Sequence, residues 1–214
     1  MGWKTVGAMV LVFLAGRGTT EAQGLSPAPL QIRTYNNYGV PADDLLTARA
    51  QVDEIFRIVG VDLTWLDCWH RDIEPANAPA QCRQPLGAQE VTLRLQAPST
   101  PGNKRYVSMG FSLVNLEAGV PFLATVFVDL VASISRGAGV DFRLLLGRAI
   151  AHELGHLLLN SNGHADRGLM RAGWSQADIR KNNETDWQFL QEEIATIRTA
   201  VTARTTPLST RASP

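Results

Sequence analysis

Hydrophobic positions in the first third of the chain follow two periods in turn. Residues 30–34 alternate between apolar and polar side chains, which is typical of a strand. From Pro41 the apolar positions are spaced as on one face of a helix, and the predicted buried residues are Leu45, Ala48, Val52, Ile55, Phe56 and Val59. Gly60 is placed to end this helix, and residues 61–65 alternate again. Residues 30–67 therefore predict a strand, a crossover helix and a second strand parallel to the first.

Three more strands are predicted further along the chain, at residues 91–95, 106–113 and 123–131. The last of these is apolar on both faces, which favours a position in the interior of the sheet. Residues 70–89 show no sustained period, and they contain the turn-forming residues Pro75, Pro79, Pro85 and Gly87. We expect a surface loop there.

Two helices complete the predicted fold. The first begins at Asp141, whose side chain can cap it, and runs to Asn160. The second opens at Ser175, in a sequence that resembles a capping box, and runs to about residue 200. The whole pattern predicts an α/β class, with a twisted, mixed five-stranded sheet, a helix that carries the candidate chemistry and a C-terminal helix.

Both ends of the chain differ from its middle. A positively charged start is followed by an apolar run and by a small-x-small sequence ending at Ala22, which predicts a signal peptide at residues 1–22 and a secreted or periplasmic protein. The run is about half of the ~20 residues that a membrane-spanning helix needs, so we expect no stable membrane anchor. Residues 23–29 are predicted as a linker, 30–201 as one domain and 202–214 as a flexible tail.

Charge and cysteine content narrow the function. Lysine plus arginine and aspartate plus glutamate both number 20, and there is no basic block, so we expect no nucleic-acid partner. We expect the domain to be a monomer. The only two cysteines, Cys68 and Cys82, are predicted to form a disulfide in an oxidising compartment. A second metal site built from both cysteines and His70 is an alternative, although a structural zinc site usually has four ligands.

The candidate chemistry lies in the helix predicted at residues 141–160. Residues 152–156 read His-Glu-Leu-Gly-His, which places His152 and His156 one turn apart on the same helix face, where both can bind one zinc ion. Glu153 projects close to that face and can act as general base on a zinc-activated water. Three of the four histidines of the chain fall within 13 residues, and the third of them is His164. Solvent-facing helical histidines would leave this clustering unexplained.

The stretch from His152 to Met170 resembles the metzincin clan of zinc peptidases, and within it the matrixin-like group. That family has the pattern H-E-x-x-H-x-x-G-x-x-H, followed by a methionine beneath the metal in the Met-turn. The resemblance implies that His152 and His156 are the first two zinc ligands, that Glu153 is the catalytic base and that Met170 is the Met-turn residue. It also implies a single catalytic zinc ion.

The match departs from the family pattern at two positions. Leu159 stands where the family has its turn glycine, and Asn162 stands at the third-ligand position. The nearest histidine is His164, two residues later, and a turn made slightly later by Gly163, Asn160 or Asn162 would return it to the metal. We predict His164 as the third ligand, because a catalytic zinc typically has three protein ligands and a water.

Other third ligands stay open. Glu184 lies in an Asn-Glu pair like that of the thermolysin-like gluzincins, and Asp166 is a weaker oxygen donor. Beyond the motif, the order of predicted strands and helices is similar to that of the metzincins. The resemblance therefore implies a zincin-like fold, an edge strand that binds an extended peptide through Ser108, Met109 and Gly110, and a substrate pocket walled by Trp174.

Taken together, these features predict a secreted zinc metallopeptidase, expected to be an endopeptidase, that hydrolyses peptide bonds with Glu153 as general base. The alternative is a zinc-bearing envelope binding protein or an inactive pseudopeptidase, in which the shifted His164 leaves no productive open position on the metal. The presence of Glu153 weighs against this alternative, because a binding protein has no use for a catalytic base.

Overall fold

The structure is a computed structural model, and it describes residues 1–2, 28–70, 77–98, 108–114 and 122–205. The described strands are β1 (Ala28–Asn36), β2 (Val61–His70), β3 (Glu90–Gln96), β4 (Gly110–Leu113) and β5 (Leu123–Phe127). They form one sheet in the order β2-β1-β3-β5-β4, in which β4 is antiparallel to β5 and the other pairs are parallel. The predicted mixed five-stranded sheet is confirmed.

The described α-helices are α1 (Ala42–Val59), α2 (Val128–Ala138), α3 (Phe142–Leu159), α4 (Gln176–Lys181) and α5 (Gln191–Thr205). The crossover from β1 through α1 to β2 is present as predicted, and the buried residues of α1 are the predicted ones. Gly60 ends α1 with φ at +79° and donates its N–H to the carbonyl of Arg57, a conformation that glycine adopts at little cost.

The predicted strand at residues 123–131 is wrong in its second half. The chain leaves the sheet after Phe127, and α2 begins at Val128. Val128 and Val131 are both buried and lie three residues apart, which places them on one face of a helix. A short apolar run with polar interruptions fits both the period of a strand and the period of a helix. Here the buried side chains follow the period of a helix.

The predicted C-terminal helix is also wrong as a single element. Its start is confirmed, because Ser175 and Asp178 form a capping box at the beginning of α4. Asn182 then ends α4 with φ at +51°, and a short 3-10 turn (Glu184–Trp187) precedes α5. The interruption lets the chain bury Trp187 and Phe189, which are 3% and 5% exposed, before helix formation resumes.

Element boundaries at the two ends fall outside the predicted domain limits. β1 begins at Ala28, within the predicted linker, and α5 continues to Thr205, within the predicted tail. The predicted signal peptide lies outside the described residues, apart from its first two. Within the ranges that the structure describes, no helix is long and apolar enough to cross a membrane.

The Cys68–Cys82 disulfide is confirmed. It joins β2 to a short 3-10 helix (Ala80–Arg83), with the two Cα atoms 5.4 Å apart. Both sulfur atoms are engaged in this bond, so the alternative metal site with His70 is excluded. The chain-entropy model of a loop this short gives a stabilisation of about 3 kcal/mol.

Candidate metal centre and active site

Helix α3 presents His152 and His156 one turn apart. The helix is buried on nearly all sides, and its start is fixed by Asp141, which accepts a 2.8 Å hydrogen bond from the backbone N–H of Arg143. The Nε2 atoms of the two histidines lie 3.1 Å apart. Two nitrogens bound tetrahedrally to one zinc ion at about 2.0–2.1 Å are separated by roughly 3.3 Å. The two rings therefore approach the spacing that a shared ion needs.

Backbone carbonyls orient both rings. Nδ1 of His152 lies 2.8 Å from the carbonyl oxygen of Leu169, and Nδ1 of His156 lies 2.7 Å from that of Ser161. An Nδ1–H that donates to a carbonyl leaves the Nε2 lone pair free for a metal. Burial lowers the pKa of His152 to about 4 and also lowers the pKa of His156. Both rings are therefore neutral at pH 7, which is the form that binds zinc.

The turn after α3 brings His164 to this pair. Asn160 ends the helix with φ at +49°, one position beyond Leu159, so one of the predicted late turns is present. The ring centroid of His164 lies 5.4 Å from that of His152 and 4.8 Å from that of His156. One potential ligand atom from each histidine lies within 4.8 Å of the others. Three imidazoles with converging nitrogens are a donor set that fits a zinc ion.

The two alternative third ligands lie apart from this cluster. Glu184 is exposed in the 3-10 turn, where its Oε1 accepts a 3.3 Å hydrogen bond from Gln188. Asp166 is exposed as well. Among the described residues, the three histidines form the one group of three or more metal-binding side chains, and neither carboxylate belongs to it.

Glu153 lies beside the histidines and is 5% exposed. Burial raises the pKa of its carboxyl group to about 7, and a hydrogen bond from Ser112 opposes this rise. The Ser112 hydroxyl lies 2.7 Å from Oε2 of Glu153 and 2.7 Å from its backbone carbonyl oxygen. The edge strand β4 therefore holds the carboxyl group of the predicted base.

Gly110, two residues before Ser112 in β4, provides the room for that carboxyl group. A Cβ atom at Gly110 would lie 2.7 Å from Oε1 of Glu153 and 2.5 Å from the carbonyl oxygen of Thr125. Neither distance is possible for carbon, so any side chain at this position must displace the carboxyl group or the strand. Gly110 was predicted as a substrate-binding residue, and the structure places it against the base.

Met170 packs against α3, the helix that carries the histidine pair. It is 1% exposed, and its Sδ atom packs against Gly155, where an added Cβ would lie 2.6 Å from the sulfur. The preceding residue, Leu169, supplies the carbonyl that orients His152.

A cavity of about 680 Å³ opens over the histidines and Glu153. Its wall includes all four predicted substrate-binding residues, which are Ser108, Met109, Gly110 and Trp174. The Trp174 ring stands edge-on to His152, with centroids 5.5 Å apart, and is supported from behind by Trp187 at 5.1 Å. The volume lies in the range of small-molecule and peptide side-chain pockets.

Several residues of this cavity were not predicted as site residues, and Ser112 and Ile134 are two of them. Ile134 comes from α2, which the hydrophobic pattern did not predict. Ser112 could have been inferred, because it lies two residues from Gly110 and side chains two apart in a strand share a face. Arg171 directly follows Met170 and also lines the cavity, in the same segment as Trp174 that the resemblance to the metzincins implies as a wall of the substrate pocket.

Comparison with known proteins gives a match by fold alone. No family model matches the sequence, and no curated protein sequence matches it. The structure is similar to the crystal structure of archaemetzincin from Methanopyrus kandleri, with a TM-score of 0.50 and a sequence identity of 16%. The superposition covers 85% of this chain and 99% of the archaemetzincin chain. The fold is zincin-like.

Two other solved structures give lower scores. A zinc-dependent peptidase from Methanocorpusculum labreanum has a TM-score of 0.49 and a sequence identity of 14%. Its superposition covers 78% of this chain and 99% of the peptidase chain. Metalloproteinase-II from Bacteroides fragilis has 14% identity, with 84% of this chain and 55% of that chain covered, and a TM-score of 0.48.

Proposed function

We propose that this protein is a secreted zinc metallopeptidase that hydrolyses peptide bonds. The observation that carries the proposal is the convergence of three imidazoles beside a buried carboxyl group in the wall of one cavity. One zinc ion would be held by His152, His156 and His164, and when bound it supplies Lewis-acid polarisation of the scissile carbonyl and of water. The fold shared with an archaemetzincin agrees with the clan that the motif resembles.

Glu153 is the general base in this proposal. Its carboxylate takes up a proton from the attacking water and returns it to the leaving amine. A pKa of about 7 suits both steps, because the group can accept and release a proton near neutral pH. Ser112 holds Oε2 in place, which leaves Oε1 beside Gly110 and fixes the direction of proton transfer.

The substrate would bind in extended form along β4. This strand pairs with β5 on one side and is the last strand of the described sheet, so its other side offers backbone groups to an added strand. Ser108, Met109 and Gly110 lie at the cavity where this strand begins. A substrate chain that passes through the cavity in this way can be cut internally, so we assign endopeptidase activity, with Trp174 as a wall of the pocket.

Export to a secreted or periplasmic location completes the proposal. The disulfide between Cys68 and Cys82 supports a secreted or periplasmic location, because such bonds persist in oxidising compartments. The amino-terminal sequence supports the same location, through the signal peptide predicted at residues 1–22.

The test is zinc stoichiometry, measured by elemental analysis on the exported protein and on three variants, together with cleavage of a generic unfolded protein. We expect one zinc per chain and cleavage by the wild type, loss of zinc in His164→Ala, and retention of zinc in Glu184→Ala. Glu153→Gln should keep zinc and lose turnover. A wild type without zinc would refute the proposal. A Glu153→Gln variant that keeps its zinc and retains the function of the wild type in the producing cell would favour the binding-protein alternative.

A further inference from the structure

Arg171 lines the same cavity as Glu153 and is fixed close to the histidine cluster. It forms an isolated β-bridge with Ala165, the residue that follows His164. Bridged backbones lie roughly 5 Å apart, so the Arg171 backbone is a direct neighbour of the chain that carries His164. The preceding residue, Met170, is buried against Gly155 of α3, which fixes the chain on the other side of the arginine.

The guanidinium of Arg171 lacks the partners that a buried arginine normally has. Its side chain is 20% exposed, and its Nε and Nη2 atoms are buried without a hydrogen-bond partner in the described part of the chain. Asp178 provides the neighbouring charge, with Oδ2 3.4 Å from Nη2. That same oxygen is engaged by Ser175, whose backbone N–H lies at 3.2 Å and whose hydroxyl lies at 2.6 Å.

Buried donors without a partner are costly, and most such groups in native structures have a water or a ligand as partner. A guanidinium carries five N–H donors in a planar fork that matches a carboxylate. Two of its three nitrogens make no hydrogen bond here. The one ion pair is to Asp178, whose carboxylate oxygen also serves a helix cap. Asp178 therefore leaves part of the hydrogen-bonding capacity of the guanidinium unused, and a second carboxylate that enters the cavity can compete for it.

The remaining wall of the cavity gives a carboxylate no competing partner of this kind. Of the described lining residues, Glu153 and Arg171 are the two with ionisable side chains, the histidines aside. Glu153 is held by Ser112 and has the wrong charge to bind an anion. The other walls are mostly apolar or uncharged, including Met109, Phe111 and Trp174. Away from the zinc ion that the histidines would hold, Arg171 is the cationic side chain among the described lining residues that can compensate an acidic group for its lost hydration.

We propose that Arg171 binds a carboxylate of the peptide substrate and gives the enzyme a preference for acidic substrates. The carboxylate can come from an Asp or Glu side chain near the scissile bond or from the free carboxyl terminus of the substrate. This inference rests on the proposed peptidase function and names the substrate class of the same site. A charge-assisted, bidentate pair of this kind distinguishes a carboxylate from an amide of the same shape.

The test uses end-blocked, internally quenched peptides of one neutral sequence, in which a single Glu or Gln is moved through the positions on both sides of the scissile bond. A second pair compares a free with an amidated carboxyl terminus. We expect kcat/KM for Glu to exceed that for Gln at least tenfold at one position, equivalent to about 1.4 kcal/mol. If the free carboxylate is the source, the second pair should show the difference instead.

Variants assign the preference to Arg171. Arg171→Gln should reduce the Glu-to-Gln ratio to near one, Arg171→Lys should retain part of it, and Arg171→Glu should favour Lys over Gln at the same position. Arg180→Gln is the matched control, because Arg180 is an exposed arginine of α4 outside the cavity wall, and it should keep the wild-type ratio. Binding of the same peptides to zinc-loaded Glu153→Gln, followed by fluorescence anisotropy, should show the preference without turnover.

The outcomes separate this inference from the function on which it rests. A wild type that holds zinc and cleaves unfolded protein, but shows neither preference, overturns the inference and leaves the peptidase function standing. A preference that persists in folded Arg171→Gln also overturns it. A wild type that neither holds zinc nor cleaves any peptide overturns both.

Discussion

The Ser112 hydroxyl lies 2.7 Å from Oε2 of Glu153, so the edge strand of the sheet contacts the predicted catalytic base directly. The same hydroxyl lies 2.7 Å from the backbone carbonyl of Glu153, which ties β4 to α3 at that residue. Strand β4 is also the strand along which we place the substrate. One short strand would therefore position both the peptide and the carboxylate that acts on it.

Replacing Ser112 by alanine tests this coupling. The variant removes the hydroxyl that holds Oε2, and the carboxylate gains rotational freedom. General-base catalysis typically contributes 10²–10⁴-fold, and we expect part of it, about tenfold in kcat, to be lost while the zinc content is unchanged. Ser112→Thr keeps a hydroxyl and should recover activity.

The matched control for Ser112→Ala is Ser135→Ala. Ser135 is also buried and donates a 3.0 Å hydrogen bond, but to the carbonyl of Ala132 within α2, away from Glu153. This control should lower stability slightly and leave kcat as in the wild type. An unchanged kcat in folded, zinc-loaded Ser112→Ala would contradict the positioning role.

Gly110→Ala should have a larger effect than the loss of the Ser112 hydroxyl. The new methyl group would lie 2.7 Å from Oε1 of Glu153 and 2.5 Å from the carbonyl of Thr125, so the carboxyl group or the strand must move. Because misplacement by about 1 Å can cost roughly 10²-fold in rate, we expect kcat/KM to fall by about that factor. The measurement is steady-state cleavage alongside zinc content.

Gly137→Ala controls for adding a methyl group. Gly137 is an exposed position of α2, and the nearest atom to its added Cβ is the flexible end of Gln176 at 3.0 Å. Alanine is also a better helix former than glycine, so stability should be equal or slightly higher. Equal rates for the two alanine variants would show that β4 tolerates a side chain beside Glu153.

The sequence predicted those parts of the fold in which one period is unambiguous. Residues 30–67 have a polar face and an apolar face in each element, so the crossover could be inferred residue by residue. Residues 128–131 are apolar apart from Asp129, and in so short a segment a buried strand and a buried helix turn look alike. Only the packing of α2 distinguishes them. The break at Asn182 was missed for a related reason, since an asparagine within a helical pattern is a weak signal unless it takes a left-handed conformation.

The same distinction applies to the site. His152, Glu153 and His156 lie within five residues on one helix, so local geometry alone places them together. His164 needed one turn, and the asparagine at position 160 was a visible candidate for it. Ser112 and Glu153 are in contact although 41 residues separate them in the sequence. The backbone of Arg171 is held near the cavity by an isolated β-bridge to Ala165. Such contacts depend on strand register and loop path, which a pattern of side chains does not contain.

Removal of the metal should destabilise the protein measurably. A zinc ion that binds only the folded chain stabilises it by about 2.7 kcal/mol at a free concentration 100 times its Kd. For a domain of this size that corresponds to a fall in Tm of roughly 5–10 °C on chelation. Scanning calorimetry with and without a chelator measures the shift.

His156→Ala is the control for the chelation experiment. This variant loses a ligand that is 5% exposed and oriented by the Ser161 carbonyl, so it should hold little zinc and show no further fall in Tm with chelator. An equal fall in both proteins would mean that the chelator acts elsewhere. No fall in zinc-loaded wild type would mean that the ion does not bind the folded state preferentially.

Glu153→Gln should remove activity and at the same time stabilise the metal-free protein at high pH. The pKa of Glu153 is raised by burial to about 7 from its ordinary value of 4.5, so the folded state holds this proton more tightly than the unfolded state. Stability from this group is therefore present below pH 4.5 and lost as pH rises to 7, where a buried carboxylate must ionise. A neutral amide avoids the cost, and we expect a gain of about 1–3 kcal/mol at pH 8.

The measurement is urea unfolding of chelated wild type and Glu153→Gln at pH 5 and pH 8. The gain from the substitution should be clearly larger at pH 8, because at pH 5 the carboxyl group of the folded wild type is still protonated. Glu192→Gln, at an exposed position of α5, makes the same chemical change and should show no such difference. An equal gain at both pH values would mean that burial does not penalise the charge of Glu153, and that the base does not acquire its raised pKa from the fold.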